Sequence, residues 1–260
     1  MTYKTIERSK DKNIVTVALN RPDVHNAMDE TMMKELTSCF NELATDENVR
    51  IIIFTGNGKS FSAGADLNWM KSMANYSKEE NIQDSRLLLD LYESIYNCPK
   101  PVMGKINGHA FGGGIGLIAV CDLTIAPPGL KFAFSEVKLG IIPSVISTFV
   151  GKRIGVANMR RLFITGERFT TDHAVKIGLI DFMVDQDELD EKINEYVDII
   201  QSSGPIAIKE VKNLIGKYET LDIEKYKEFT VEKIAELRIS KEGQEGINAF
   251  LEKRKSKWSE

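Results

Sequence analysis

Short runs of β-branched and apolar residues recur along the chain, with helix-spaced apolar positions between them. IVTVAL at 14–19, IIIFTG at 51–56, VMGKIN at 102–107, LTIA at 123–126 and FAF at 132–134 read as strands. Several are apolar throughout rather than alternating, the pattern of strands covered on both faces. Between the first two, Met32, Met33, Leu36, Phe40 and Leu43 mark one face of a helix. A second helix is predicted from about Ser77 to Asn97: Ser77 and Glu80 form a capping-box pair, and Pro99 stops the element. This alternation is the signature of an α/β fold.

Past residue 186 the pattern changes. DELDEKINEYVDII is helical, Ser202-Ser203-Gly204-Pro205 breaks it, and charged helical segments follow without a further strand signal. We expect a core over 1–196 and a helical region over 197–260, whose apolar positions (Ile208, Val211, Leu214, Ile234, Leu237, Ile247, Phe250) need cover from the core or a second copy.

Composition narrows the class. The 260 residues carry 34 basic and 38 acidic side chains, so a net charge of -4 argues against a nucleic-acid partner or an anionic membrane surface. The opening MTYKTIERSKDKN lacks an apolar signal core, and the longest uncharged run, Ile106–Cys121, holds five glycines in sixteen residues, too few and too broken to span a bilayer. A cytoplasmic location is the expectation. Cys39, Cys98 and Cys121 are scattered without metal-ligand spacing, and His25, His109 and His173 are isolated, so no metal site is expected.

Three glycine-rich segments compete for the chemistry. Gly58-Lys59-Ser60 resembles the end of a phosphate loop, but the required first glycine falls on Ile53 inside a strand. Gly114, Gly116 and Ala119 fit a dinucleotide fingerprint, though without the βαβ array that would precede it. The third reading joins FSAGAD (61–66) to INGHAFGGG (106–114): each follows a strand and precedes a helix, so each can aim unpaired N–H groups at an anion. Glycines at 112–114 allow a ligand carbonyl to come close. Tight turns that only pack helix on strand would look alike.

NRPDVHNA (20–27), FSAGADL (61–67), INGHAFGGGIGLIAVCDLTIA (106–126), FSEVKLGIIPS (134–144), ITGERFTTDHAVKIGLID (164–181) and EGINAFLEKRK (245–255) together resemble the crotonase, or enoyl-CoA hydratase/isomerase, superfamily, in order across nearly the whole chain. The resemblance implies a spiral of ββα units with a C-terminal helical region that trimerises, often as a dimer of trimers, and an acyl-CoA thioester substrate without further cofactor. It places the two oxyanion donors on the backbone N–H groups of Ala65 and Gly113, flanked by Ala63, Asp66 and Gly112. Glu136, set in the apolar run FAFSEVKLGII, matches the later of the two glutamates that hydratases of the family carry, and burial there would raise its pKa toward neutrality.

The first glutamate has no counterpart, its position being Gly116. One side chain would then have to activate water and move the proton, and Gly116 would make room for a bulkier acyl group. Gly116 together with IIPSVIS resembles the branch that holds methylglutaconyl-CoA hydratase-like proteins. The resemblance also admits a Δ3,Δ2-enoyl-CoA isomerase in which Glu136 alone shuttles the proton, and, in another class, an acyl-CoA-binding oligomer without catalysis. Ser144 could hold a water or cap the next helix. The Pro22–Asn26 loop with Val24 is expected at the adenine, Trp69 and Met70 along the acyl tunnel, Phe250 along the channel, and Lys253 at a CoA phosphate.

Overall fold

The computed structural model describes residues 3–73 and 75–259. Strands β1 (Ile6–Asp11) and β2 (Ile14–Leu19) form an antiparallel hairpin that turns at Lys12, whose φ is 53°. Helix α1 (Glu30–Thr45) begins where the Asp29 side chain accepts the Met32 N–H, and Met32, Met33, Leu36, Phe40 and Leu43 are all buried. β3 (Ile51–Gly56), β4 (Ser60–Ser62), α2 (Leu67–Met73) and α3 (Lys78–Tyr96) follow; the Ser77–Glu80 capping box is present at the start of α3. The chain then repeats one plan, two strands and a helix. β5 (Val102–Lys105), β6 (His109–Phe111) and α4 (Gly113–Ala119) are succeeded by β7 (Leu123–Ala126), β8 (Lys131–Ala133) and α5 (Ser147–Thr165), then β9 (Phe169–Thr170), α6 (Thr171–Lys176) and β10 (Phe182–Met183).

From β3 to β8 the first strand of each pair joins one sheet and the second joins another. The larger sheet has the order β1-β2-β3-β5-β7-β10, parallel from β2 onward, and the smaller has the order β4-β6-β8-β9. This is a ββα spiral. Its core includes an edge-to-face series in which Phe40 meets Phe54 at 5.5 Å and Phe54 meets Phe61 at 5.6 Å between ring centroids. All three cysteines are buried thiols.

The chain divides into two compact units. The first runs to Cys98 and resumes over Val102–Ile193; the second comprises Pro99–Pro101 and the residues from Asn194 on. Helix α7 (Leu189–Gln201) crosses the boundary. In the second unit α8 (Pro205–Thr220), α9 (Ile223–Ile239) and α10 (Lys241–Leu251) follow, with Glu242 accepting the Ile206 and Ala207 N–H groups at the start of α8. Arg254 closes the end of α10 by a bidentate pair with Glu245, which holds that carboxyl at about 2. Ile215, Val231, Ile239 and Leu251 of this unit are exposed. Among the described residues no helix is long and apolar enough to cross a membrane.

Candidate active site

Two segments of the first unit converge on one spot. After β4 the chain turns through Gly64 at φ 89°, where any side chain would strike the Phe111 carbonyl at 2.7 Å. It then runs beside Met28 as a short parallel bridge: Met28 donates to Gly64 O at 2.7 Å, and Asp66 donates to Met28 O at 2.8 Å. Extended backbone alternates its N–H directions, so the Ala65 N–H faces away from Met28. It finds no acceptor among the described residues. The Ala63 N–H donates to His25 O at 2.9 Å and is not one of the open donors.

The second segment leaves β6 through Gly112, whose φ of 48° is open to glycine and whose N–H bonds Ala133 O. Gly113 opens α4, and its N–H likewise has no acceptor among the described residues. A Cβ built on Gly64 would stand 3.6 Å from the Gly113 nitrogen, so the peptide joining Gly64 to Ala65 lies beside it. Two unengaged N–H groups therefore sit side by side.

Glu136 begins a 3-10 turn, Glu136–Leu139, just after β8. Its carboxylate lies over Gly112: a Cβ there would be 2.9 Å from Oε1. Oε2 is buried and has no hydrogen-bond partner among the described residues. Burial pushes the Glu136 pKa up, opposed in part by its own backbone N–H. A half-buried carboxyl with a free oxygen beside two free N–H donors can move a proton on a ligand whose carbonyl the donors hold.

The volume beside Gly116 is not open. A Cβ there would meet Ile146 Cγ2 at 2.5 Å and Tyr92 Cζ at 2.8 Å. The room expected for a larger acyl group is thus filled by two of the protein's own side chains. Tyr92, on α3, is fully buried and donates to Gly113 O at 2.8 Å; burial and then the nearby Glu136 charge push its phenol pKa far up. Neither Tyr92 nor Ile146 stood out in the sequence, where Tyr92 reads as one more apolar position beside Leu91 and Ile95.

Asp66 also corrects its expectation. Its Oδ1 accepts the Asn68 and Trp69 N–H groups, and its Oδ2 pairs with Arg21 at 2.9 Å. Burial would raise its pKa, but these backbone bonds and Arg21 hold it below the usual value. Asp66 caps α2 and anchors the donor loop, with no oxygen free for substrate. Ser144 is exposed and does not cap α5 with its hydroxyl: its carbonyl meets the start of the helix, accepting the Ser147 N–H at 3.0 Å.

Trp69 is half-buried, its indole N–H on Asp84 Oδ1 at 3.2 Å, and Met70 follows it on α2. Val24 is exposed at the end of a short 3-10 turn, in a loop that Arg21 and the buried Asn26 hold in shape. Phe250, 83% exposed, and Lys253, at φ 53°, belong to the second unit. His109 Nδ1 accepts the Lys131 N–H, and His173 packs with Arg161, so both histidines are engaged within the fold.

The family model for enoyl-CoA hydratase/isomerase matches residues 9–260. A short-chain-enoyl-CoA hydratase of Clostridium acetobutylicum is 32% identical over 257 residues, covering 98% of this chain and 97% of that protein. A crotonyl-CoA hydratase of Syntrophomonas wolfei is 31% identical over 258 residues, 98% of each. Among solved structures, an enoyl-CoA hydratase from Shewanella pealeana superposes with a TM-score of 0.94 at 37% identity, covering 98% of this chain and 96% of that one.

Proposed function

The chain belongs to the enoyl-CoA hydratase/isomerase family, and from that premise we propose that it adds water to, or removes it from, the 2,3 double bond of an acyl-CoA thioester. The observation that carries this reading is the unpartnered, buried Oε2 of Glu136 beside two N–H groups without acceptors. The Ala65 and Gly113 N–H groups take the thioester oxygen and stabilise the enolate that develops as the bond at C3 forms. Donors fixed in place contribute about 3 kcal/mol each to such a transition state. Glu136 takes a proton from the attacking water and delivers one to C2 on the same face. The substrate's own CoA is the only cofactor invoked.

A second reading has its own support. Tyr92 and Ile146 wall off the position beside Gly116, so that side of the site presents carbon and one committed hydroxyl instead of a second carboxylate. A lone Glu136 suits a Δ3,Δ2-enoyl-CoA isomerase, which removes a proton at C2 and returns it at C4 without water. Crotonyl-CoA, 3-methylglutaconyl-CoA and a 3-enoyl-CoA incubated in deuterated water, with products followed by mass spectrometry, separate the two. Gain of water by either 2-enoyl substrate supports hydration. Turnover of the 3-enoyl substrate alone, mass-neutral apart from deuterium, replaces it with isomerisation. A branched acyl group rests on the resemblance around IIPSVIS and is what the 3-methylglutaconyl arm tests.

The remaining contacts are part of the same proposal. Val24 meets the adenine, Phe250 lines the pantetheine channel and Lys253 binds a CoA phosphate; Trp69 and Met70 border the acyl chain. The exposed apolar side chains of the second unit support assembly into a trimer or a dimer of trimers. We place the protein in the cytoplasm. The retained Glu136 weighs against a binding-only oligomer.

A further inference from the structure

Gly113 supplies a donor from a segment that has no side chains to fix it. Gly112 before it has φ 48°, neither residue has a side chain to limit rotation, and the Gly112 N-cap of α4 makes no side-chain hydrogen bond. Gly112 is tied by its N–H to Ala133 O and by its carbonyl to the Ile115 N–H, and a further constraint, on Gly113 itself, comes from α3. The Tyr92 hydroxyl donates to Gly113 O at 2.8 Å and would lie 3.1 Å from a Cβ on Gly113. The ring is fully buried, packed on Phe149 at 5.8 Å between centroids and wedged against Gly116. Burial and then the nearby Glu136 charge push its phenol pKa far up, which favours the protonated, donating form.

We propose that Tyr92 is a positioning residue of the oxyanion hole, holding Gly113 through its O–H···O=C bond so that the Gly113 N–H stays aimed at the thioester oxygen. This rests on the reading of Ala65 and Gly113 as the two donors. A donor stabilises developing charge only if it is oriented beforehand, so loosening Gly113 should lower the rate of enolate formation more than it weakens ground-state binding.

The test uses the assembled protein and butyryl-CoA labelled with 13C at its carbonyl. Two readouts are taken: kcat and KM for deuterium exchange at C2, and the infrared C=O stretch of the bound thioester. Tyr92→Phe keeps the ring and removes the hydroxyl; we expect kcat to fall roughly ten- to hundredfold with KM within about twofold. The downward shift of the C=O band on binding to wild type should shrink in the variant. Site-specific 3-fluorotyrosine at 92, which keeps the hydroxyl, should restore both. Should Tyr92→Phe fail to fold, Tyr92→Met removes the same hydroxyl with a more adaptable side chain and is read identically. A wild-type shift preserved in the variant, or an unchanged kcat, overturns the proposal alone. No shift in bound wild type overturns the donor assignment, and this proposal with it.

Discussion

Replacing Gly116 with alanine sets two effects against each other. In an open helix interior the change gains about 1 kcal/mol from backbone entropy. Here the added methyl meets Ile146 Cγ2 at 2.5 Å and Tyr92 Cζ and Cε1 at 2.8 and 2.9 Å. Ile146 is β-branched and 3% exposed, and Tyr92 is fully buried, so neither can swing into solvent. Overpacking of this kind costs about 1–3 kcal/mol, so the clash prevails and a net loss of up to about 2 kcal/mol is expected. For a chain of this length that lowers the melting temperature by up to about 8 °C, measured at fixed protein concentration because assembly also shifts it. The penalty should shrink in an Ile146→Ala background, which removes Cγ2. A melting temperature that rises in Gly116→Ala would mean that the volume beside Gly116 is open, as a site cleared for a larger acyl group requires.

Glu136→Gln should keep acyl-CoA affinity while turnover falls by at least about 10²-fold, read from steady-state rates and calorimetric titration. The same variant tests the buried charge. With its pKa raised in the fold, Glu136 contributes stability that is present below its ordinary value of 4.5 and lost as pH rises through the folded value. Denaturation curves should therefore favour the glutamine variant increasingly as pH is raised through that window. Asp66→Asn should cost about 1–3 kcal/mol by leaving Arg21 and the first turn of α2 poorly paired. Because the Asp66 pKa is depressed, that contribution exists above 3.8 and fades as pH falls, so wild type and variant should converge in acid.

The elements that could be read beforehand were those whose signal is local. β2, β3 and β7 match apolar runs residue for residue, because strands covered on both faces are written as unbroken β-branched segments. The Ser77 capping box was legible for the same reason. β4, β6, β9 and β10 were not: at two or three residues they exist only through pairing with strands distant in the chain. β1, IERSKD, hid behind its charges, being an edge strand with most of its side chains exposed.

The site divides along the same line. Motif residues such as Glu136 and Gly113 could be named from their neighbours in sequence. The partners that decide what those residues do could not. Tyr92 reaches Gly113 across 21 positions, and Ile146 fills the space at Gly116 from beyond the next strand pair. Asp66 looked available until Arg21, 45 residues away, took its second oxygen. An apparent vacancy or a free carboxylate in a sequence is a statement about three-dimensional neighbours, which a linear pattern does not contain.

On the proposed function, Glu136 moves a proton at C2 of a thioester whose oxygen is held by the Ala65 and Gly113 N–H groups. Deuterium exchange at C2 of butyryl-CoA in deuterated water tests it most directly, since a saturated substrate offers no double bond and the signal needs only the base and the two donors. Wild type should incorporate deuterium steadily, and Glu136→Gln should lose that exchange with butyryl-CoA still bound. Exchange that persists undiminished in Glu136→Gln, or is absent from wild type saturated with butyryl-CoA, would contradict it.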